Sequence, residues 1–217
     1  ARCVNISDVN NDGNLDIVVS GTNITNTTYN QFLGNGNGTF ASGTSFTESG
    51  NSQFFKVSDV NLDGKKDIIS VCTASGSNNG YVKLGNGDGT YNNPIYFSAS
   101  SGPISVDVGD LNGDGKPDLL TAGYYSHRTS ILLGNGNGSF QPYLEQVSGL
   151  ATIQAVLGDL NDDGRLDIVA ANRSANNISV MLANGTAATT LKVNNSANIP
   201  TGTGSNGNVS ADFNNKG

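Results

Sequence analysis

The sequence has few basic residues and no long apolar segment. Lysine and arginine number 11 against 18 acidic residues, which gives a formal net charge of −7. Nucleic-acid binding needs a basic face that neutralises phosphates, so we expect no nucleic-acid partner. No apolar run approaches the roughly 18 residues that a membrane-spanning helix requires, so we also expect no membrane insertion.

Histidine and cysteine are equally scarce, with one and two copies. The chain therefore has few of the side chains that transition-metal sites use, and only one histidine that could serve in a Ser-His-Asp triad. The single histidine, His127, has no visible catalytic partner, and we expect no enzyme activity. The first residues, 1–3, lack the apolar core of a signal peptide, so the signal of an exported protein would lie outside this sequence.

What the sequence does contain favours short strands and tight turns. Glycine accounts for 29 of 217 residues, apolar residues make up only 35%, and asparagine, serine and threonine are abundant. This composition is typical of an all-β protein rather than one with long helices.

Two motifs recur along the whole chain. The motif Asp-x-Asn-x-Asp-Gly-x-x-Asp starts at positions 8, 59, 110 and 159, at separations of 51, 51 and 49 residues, and its carboxylates are twelve of the 18 acidic residues. The first three copies are each followed by Leu-Gly-Asn-Gly-x-Gly, beginning at Leu33, Leu84 and Leu133. The fourth copy, from Leu182, lacks the middle glycine. We predict repeats over residues 1–50, 51–101, 102–150 and 151–203, with the start of a fifth at 204–217.

Each repeat predicts four strands. Runs rich in β-branched and aromatic residues flank the acidic motif, as at 54–57 and 67–69, and Asn-Gly joins the third strand to the fourth. A four-stranded antiparallel unit with a period near 50 is typical of a propeller blade, so we predict a β-propeller region with about four blades. Because such rings often hold about six to eight blades, we expect it to be part of a larger propeller. Closure of a four-bladed ring and completion by a partner chain are the alternatives.

The acidic motif also predicts metal sites. Side-chain oxygens at positions 1, 3, 5 and 9 and a backbone carbonyl at position 7 are the hard ligands that Ca²⁺ prefers. Three carboxylates in nine residues repel one another unless a cation lies among them. An EF-hand would need Glu at position 12, where the first loop has Val19. We therefore predict about four calcium sites that hold the first two strands of each blade together.

The predicted ligands are Asp8, Asn10, Asp12, Asn14 and Asp16; Asp59, Asn61, Asp63, Lys65 and Asp67; Asp110, Asn112, Asp114, Lys116 and Asp118; and Asp159, Asn161, Asp163, Arg165 and Asp167. Asn14, Lys65, Lys116 and Arg165 would contribute backbone carbonyl oxygens.

The acidic motif paired with Leu-Gly-Asn-Gly-x-Gly-Thr-Phe, as at 33–40, resembles the FG-GAP/VCBS repeat of integrin-α-like propellers. The resemblance covers essentially the whole chain and implies Ca²⁺ between the first two strands of each blade. It also implies one of three roles: an adhesion protein, a lectin, or a non-catalytic module of a secreted carbohydrate-active enzyme. In the degraded fifth copy Lys216 replaces the middle carboxylate, so we expect no site at Asp212 and Asn214.

Two functional hypotheses stay open. The first is a secreted or cell-surface recognition or adhesion module, lectin-like, that binds a glycan or an extracellular protein on blade loops or in grooves between blades. Its candidate loops are 124–128, which carries two tyrosines and His127, and the polar stretches 22–30, 74–80 and 172–177. The second is a structural or self-associating propeller module, or an accessory domain of a larger secreted carbohydrate-active enzyme.

Two smaller features complete the sequence picture. Cys3 lies five residues before Asp8 and Cys72 five after Asp67, at similar depth on neighbouring blades, so a disulfide and two free thiols are both compatible. The glycine-rich segment 34–38 resembles a phosphate-binding loop. Because it recurs three times and no helix is predicted after it, it indicates a hairpin turn instead.

Overall fold

The chain forms four antiparallel sheets, one after another, in a computed structural model that describes residues 1–23, 25–73, 79–184 and 193–201. The strands are β1 (Cys3–Ser7), β2 (Asp16–Thr22), β3 (Asn26–Phe32), β4 (Thr44–Ser49), β5 (Ser52–Ser58), β6 (Asp67–Cys72), β7 (Gly80–Lys83), β8 (Ile95–Phe97), β9 (Pro103–Gly109), β10 (Asp118–Gly123), β11 (Arg128–Leu132), β12 (Leu144–Val147), β13 (Thr152–Gly158), β14 (Asp167–Asn172), β15 (Asn177–Ala183) and β16 (Val193–Pro200).

Each sheet contains four strands that pair in chain order, each antiparallel to the next. This is the topology of a propeller blade, and we number the blades one to four along the chain. The predicted all-β propeller fold is confirmed, and no helix occurs among the described residues. That part of the chain therefore contains no helix long and apolar enough to cross a membrane.

One strand boundary differs from the prediction. The segment 22–30 is expected to be a polar loop, but β2 continues to Thr22 and β3 starts at Asn26. Thr22 pairs directly with Thr27, and β-branched threonines suit a pleated sheet, so both strands extend into the expected loop.

The apolar core lies between blades. Val18 and Phe55 belong to the cluster joining blades one and two, Val82 and Leu132 to that joining blades two and three, and Ile131 to that joining blades three and four. The strands β6 and β10 are buried along their whole length, because each has a neighbouring blade on both faces.

The first strands of the blades lie side by side at the centre of the arrangement. Asn5 donates to the carbonyl of Phe55 at 3.0 Å, and the amide of Leu157 donates to Asp107 at 3.0 Å. Lys56 forms an ion pair with Asp107. All four first strands border one cavity of about 210 Å³, so they line the propeller axis.

Blade one has a face that turns away from blade two. On β1, Cys3 and Asn5 point toward blade two, whereas Val4 and Ile6 are 61% and 65% exposed. The predicted fifth acidic copy at Asp212, Asn214 and Lys216 and most of the loop 74–80 lie outside the described residues.

Candidate calcium loops

Backbone amides of the first acidic loop donate hydrogen bonds to the side-chain oxygens of the same loop and orient them toward its interior. The carboxylate of Asp8 accepts from the amide of Gly13 at 2.8 Å and from that of Asp12 at 3.2 Å. Asn10 Oδ1 also accepts from the Asp12 amide at 3.2 Å, and Asp12 Oδ1 accepts from the Asn14 amide at 2.8 Å. This last bond is the main cause of a lowered pKa for Asp12. Gly13 has a φ of +85°, a conformation that favours glycine at the turn.

The other three loops repeat these contacts. The position-6 glycine amide donates to the position-1 carboxylate at 2.7–2.8 Å in each of them: Gly64 to Asp59, Gly115 to Asp110, and Gly164 to Asp159. The predicted ligands at positions 1, 3 and 5 are therefore held together in every loop by the same turn.

The ninth-position aspartates have a second role that the motif alone does not predict. All four, Asp16, Asp67, Asp118 and Asp167, are fully buried. Asp16 accepts from Val9, inside the acidic loop, and from Gly34, where the glycine hairpin begins, both at 2.8 Å. The equivalent donor pairs are Val60 and Gly85, Leu111 and Gly134, and Leu160 and Ala183.

Each buried carboxylate therefore ties the acidic loop to the end of the third strand. Burial raises the pKa of Asp67 and of Asp118 to about 6, although the two backbone donors act in the opposite direction. The signal in the sequence is the order of the two motifs: the second donor follows the ninth-position aspartate by 18 residues in blades one and two and by 16 in blades three and four.

The acidic loops of blades two to four also contain a basic side chain at position 7. Lys65 lies 3.8 Å from Asp63, Lys116 lies 3.6 Å from Asp114, and Arg165 lies 2.6 Å from Asp163. The first loop has Asn14 at this position. Part of the carboxylate repulsion is thus already compensated in three loops and not in the first.

The donor set of each loop fits a hard cation. Positions 1, 3, 5 and 9 offer carboxylate and amide oxygens, the atom types that calcium prefers, and an oxygen that accepts one N–H retains a lone pair. Within the described ranges, no group of three or more Asp, Glu, His or Cys side chains is already gathered for a metal ion. An ion would therefore depend on the asparagine and backbone oxygens as well as on the carboxylates.

The glycine motifs form hairpins, as predicted. Gly34 bridges Phe40, Gly85 bridges Tyr91 and Gly134 bridges Phe140 in an antiparallel sense. Gly36 has a φ of +74°, which is the left-handed conformation a tight turn requires. The second hairpin also contacts the preceding blade, because the amide of Gly89 donates to the carbonyl of Val9 at 3.2 Å.

His127 stabilises a turn. Its Nδ1 accepts from the amide of Ala151 at 2.9 Å, which links the β10–β11 turn to the loop before β13. The neighbouring Tyr125 is 65% exposed and packs edge-to-face with Tyr124 at a centroid distance of 5.3 Å. Tyr125 and His127 are both exposed in this turn, and Tyr124 is half-buried.

Both cysteines are free thiols in the structure. Cys3 Sγ lies 3.5 Å from the carbonyl of Phe55, and Cys72 is buried in the same inter-blade cluster. Burial raises the pKa of Cys72 to about 11, so its thiol is a poor nucleophile. Of the two alternatives for these residues, the structure shows the free thiols.

Comparison with known proteins agrees with this architecture. A family model described as FG-GAP-like repeat matches residues 8–70, 59–121, 110–170 and 159–217. No curated protein matches the chain.

Two solved structures are similar to this chain, and the first shares its fold. One is a lectin from Agrocybe aegerita, whose structure addresses its specific recognition of non-reducing terminal N-acetylglucosamine. It is 22% identical in sequence and has a TM-score of 0.56. The match covers 87% of this chain and 50% of the lectin chain. The chain thus spans about half the length of that lectin. The other is the Photorhabdus luminescens Tc holotoxin pore, 16% identical with a TM-score of 0.45, over 94% of this chain and 10% of that chain.

Proposed function

The chain belongs to the FG-GAP-like repeat family, and on that premise we propose that it is an extracellular, calcium-stabilised recognition module that binds a glycan or a protein and catalyses no reaction. One observation carries the proposal: the molecule divides into a repeated frame and unrepeated surfaces. The acidic loops form the same hydrogen bonds in every blade, and the glycine hairpins do so in the first three. A frame of this kind serves folding and leaves the variable surfaces for ligands.

The variable surfaces support recognition. Only three residues separate the second and third strands in blade one, whereas the turn between these strands in blade three carries the exposed Tyr125. Rigid aromatic side chains on a fixed scaffold suit binding to sugars or proteins. The likeness in fold to a lectin from Agrocybe aegerita supports a glycan as the first class of ligand to test.

Calcium would act on the frame rather than on the ligand. In blade one Asp8, Asn10, Asp12 and Asp16 would hold the ion through side-chain oxygens and Asn14 through its carbonyl, and the matching residues would do so in blades two to four. The bound ion supplies positive charge that offsets carboxylate repulsion. Asp8 follows β1 and Asp16 begins β2, so these residues would fix the two innermost strands relative to each other.

The contacts of the titratable groups favour binding over catalysis. The buried carboxylates accept two backbone N–H groups each, and His127 Nδ1 accepts the amide of Ala151. Groups committed in this way hold structure and are poorly placed to exchange protons with a substrate.

A glycan array with the calcium-loaded protein, run beside a chelated control, tests the proposal. We expect calcium-dependent binding to a defined sugar class. Folded protein that binds no glycan on the array, and no protein in a matched screen of extracellular ectodomains, would refute the recognition role.

Exposed apolar residues on blade one favour a second candidate, a structural or assembly module or an accessory domain of a larger secreted carbohydrate-active enzyme. Val4 and Ile6 are 61% and 65% exposed on the innermost strand, and Phe32 is 37% exposed on the same face. The corresponding face of blade two is covered by blade one, so another blade would fit here. Sedimentation velocity tests it: concentration-dependent self-association that Val4→Thr/Ile6→Thr abolishes would favour assembly, and a monomer at all concentrations would weaken it.

A further inference from the structure

The interface between blades one and two differs chemically from the next interface. Lys83 pairs with Ile68, at the register position that Leu132 occupies opposite Leu119 in blade three. Gln31 pairs with Val18, at the position that Val82 occupies opposite Ile69. Two positions that are apolar at the interface between blades two and three are therefore polar or charged at the interface between blades one and two.

The next interface shows what the fold needs at these positions. Val82, Leu132, Phe97 and Phe140 belong to one apolar cluster between blades two and three, with the two rings edge-to-face at 6.0 Å. Close packing of apolar side chains is the usual solution for such an interface. Stability of the blade stack does not require charge there.

The charged version nevertheless lies in a buried setting. Lys83 is only 7% exposed, pairs with Glu48 of β4, and has its ammonium 5.5 Å from the centroid of the Phe46 ring. A buried ion pair is commonly neutral or unfavourable for stability compared with apolar residues of similar size. Local departures of this kind from a repeating pattern are expected at functional sites.

Lys83, Phe46 and Gln31 border an open cavity of about 260 Å³, which we call the inter-blade groove. It is lined by Gln31, Thr44, Phe46, Lys83, Thr90 and Tyr91.

The walls of the groove are fixed in advance. Gln31 Nε2 donates to the carbonyl of Gly89 at 2.9 Å, and its Oε1 accepts from the Tyr91 hydroxyl at 3.2 Å. The Phe46 and Tyr91 rings lie 5.3 Å apart at 45°. Side chains locked by such contacts form a preorganised site.

We propose that the inter-blade groove is a saccharide-binding subsite that takes one neutral sugar ring, an inference that rests on the recognition role proposed above. Lys83 lines the groove and its ammonium carries three donors, of which the ion pair with Glu48 uses one, so sugar hydroxyls can accept from the others. The aromatic rings offer an apolar surface to the C–H face of the sugar. Thr44 and Thr90 place hydroxyl groups at the exposed rim.

Charge and size both select this ligand class. Glu48 neutralises the charge of Lys83, so the groove has no excess charge for an acidic or basic ligand. The cavity is slightly below the roughly 300 Å³ at which pockets for drug-sized ligands begin, which suits a single ring rather than a longer chain.

Two threonines on one strand provide a matched test. On β4, Thr44 lines the groove, whereas Thr47 points to the opposite face, with its hydroxyl 3.1 Å from that of Thr28. Both are exposed, so Thr44→Trp and Thr47→Trp add the same bulk without removing a buried contact. Wild type and both variants are screened on an array of mono- and disaccharides, and the best neutral methyl glycoside is then titrated calorimetrically.

We expect Thr44→Trp to weaken binding by at least about tenfold, the effect of losing one good polar contact, and Thr47→Trp to bind like the wild type. Equal binding by wild type and Thr44→Trp would overturn the groove and leave the recognition role intact. A wild-type protein that binds no sugar would overturn the groove and the glycan form of the proposed function together.

A second variant separates binding from stability. Lys83→Leu/Glu48→Leu installs the apolar chemistry of the neighbouring interface and should melt at or above the wild-type temperature, because a buried ion pair contributes little net stability. The same variant should lose sugar binding by about tenfold or more. Retained binding in this folded variant would overturn the proposal.

Discussion

The hydroxyl groups of Tyr29 and Tyr81 lie 2.8 Å apart in the buried interface between blades one and two. Both side chains are almost wholly buried, and burial raises the pKa of Tyr29 to about 12, so both stay protonated at neutral pH. The pair is a polar contact within the apolar cluster between blades one and two, where the Tyr29 ring packs against Phe46 and Phe55.

This contact predicts a non-additive pair of substitutions. Tyr29→Phe or Tyr81→Phe alone should lower the free energy of unfolding by about 1 kcal/mol, because the remaining hydroxyl loses a partner in a buried site. The double variant should cost less than the sum of the two. Urea unfolding of the four proteins measures this, and strictly additive values would show that the hydroxyls are not coupled.

The buried ninth-position carboxylates predict a loss of stability that does not depend on calcium. Asp118 accepts from the amides of Leu111 and Gly134 at 2.9 and 2.7 Å. In Asp118→Asn the amide group faces one of these donors, so we expect a loss of about 2 kcal/mol in chelator. The control is Asp114→Asn in the same loop, whose effect should be seen mainly with calcium present. Equal effects of both variants in chelator would contradict a separate structural role for Asp118.

The basic side chains at position 7 predict unequal calcium loops. Arg165 lies 2.6 Å from Asp163, whereas the first loop has Asn14 at the equivalent position. Arg165→Asn should raise the calcium affinity of the fourth loop by about two- to threefold, a small effect because the pair is partly exposed to solvent. Calorimetric titration at low and high salt checks this, since the gain should shrink as salt rises. An unchanged affinity at low salt would show that Arg165 does not compete with the ion.

Much of the frame could be predicted from the sequence because its determinants are local. The acidic turn and the glycine hairpin each lie within ten residues, and their alternation fixes four strands per repeat. The position-6 glycine, as at Gly13 with its φ of +85°, is a direct mark of the turn. The start of β3 was harder to place, since the threonines at 27 and 28 suit both a polar loop and a strand.

Grooves between blades were expected from the sequence, but the residues that line the inter-blade groove could not be predicted, because they depend on which residues face each other across two sheets. Lys83 and Glu48 are 35 residues apart in the chain and belong to different blades. Their contact requires the register of β7 within its own sheet and the packing of that sheet on its neighbour. From the sequence alone both residues would be expected on the surface, because Lys and Glu side chains are usually exposed to solvent.

The central prediction is that calcium binds the acidic loops and stabilises the blades. Calorimetric titration of calcium into chelator-treated protein tests it most directly. We predict about four binding sites, and a melting temperature that rises with calcium because the ion binds the folded loops and not the unfolded chain. No heat of binding, together with a melting temperature that chelator leaves unchanged, would contradict the account.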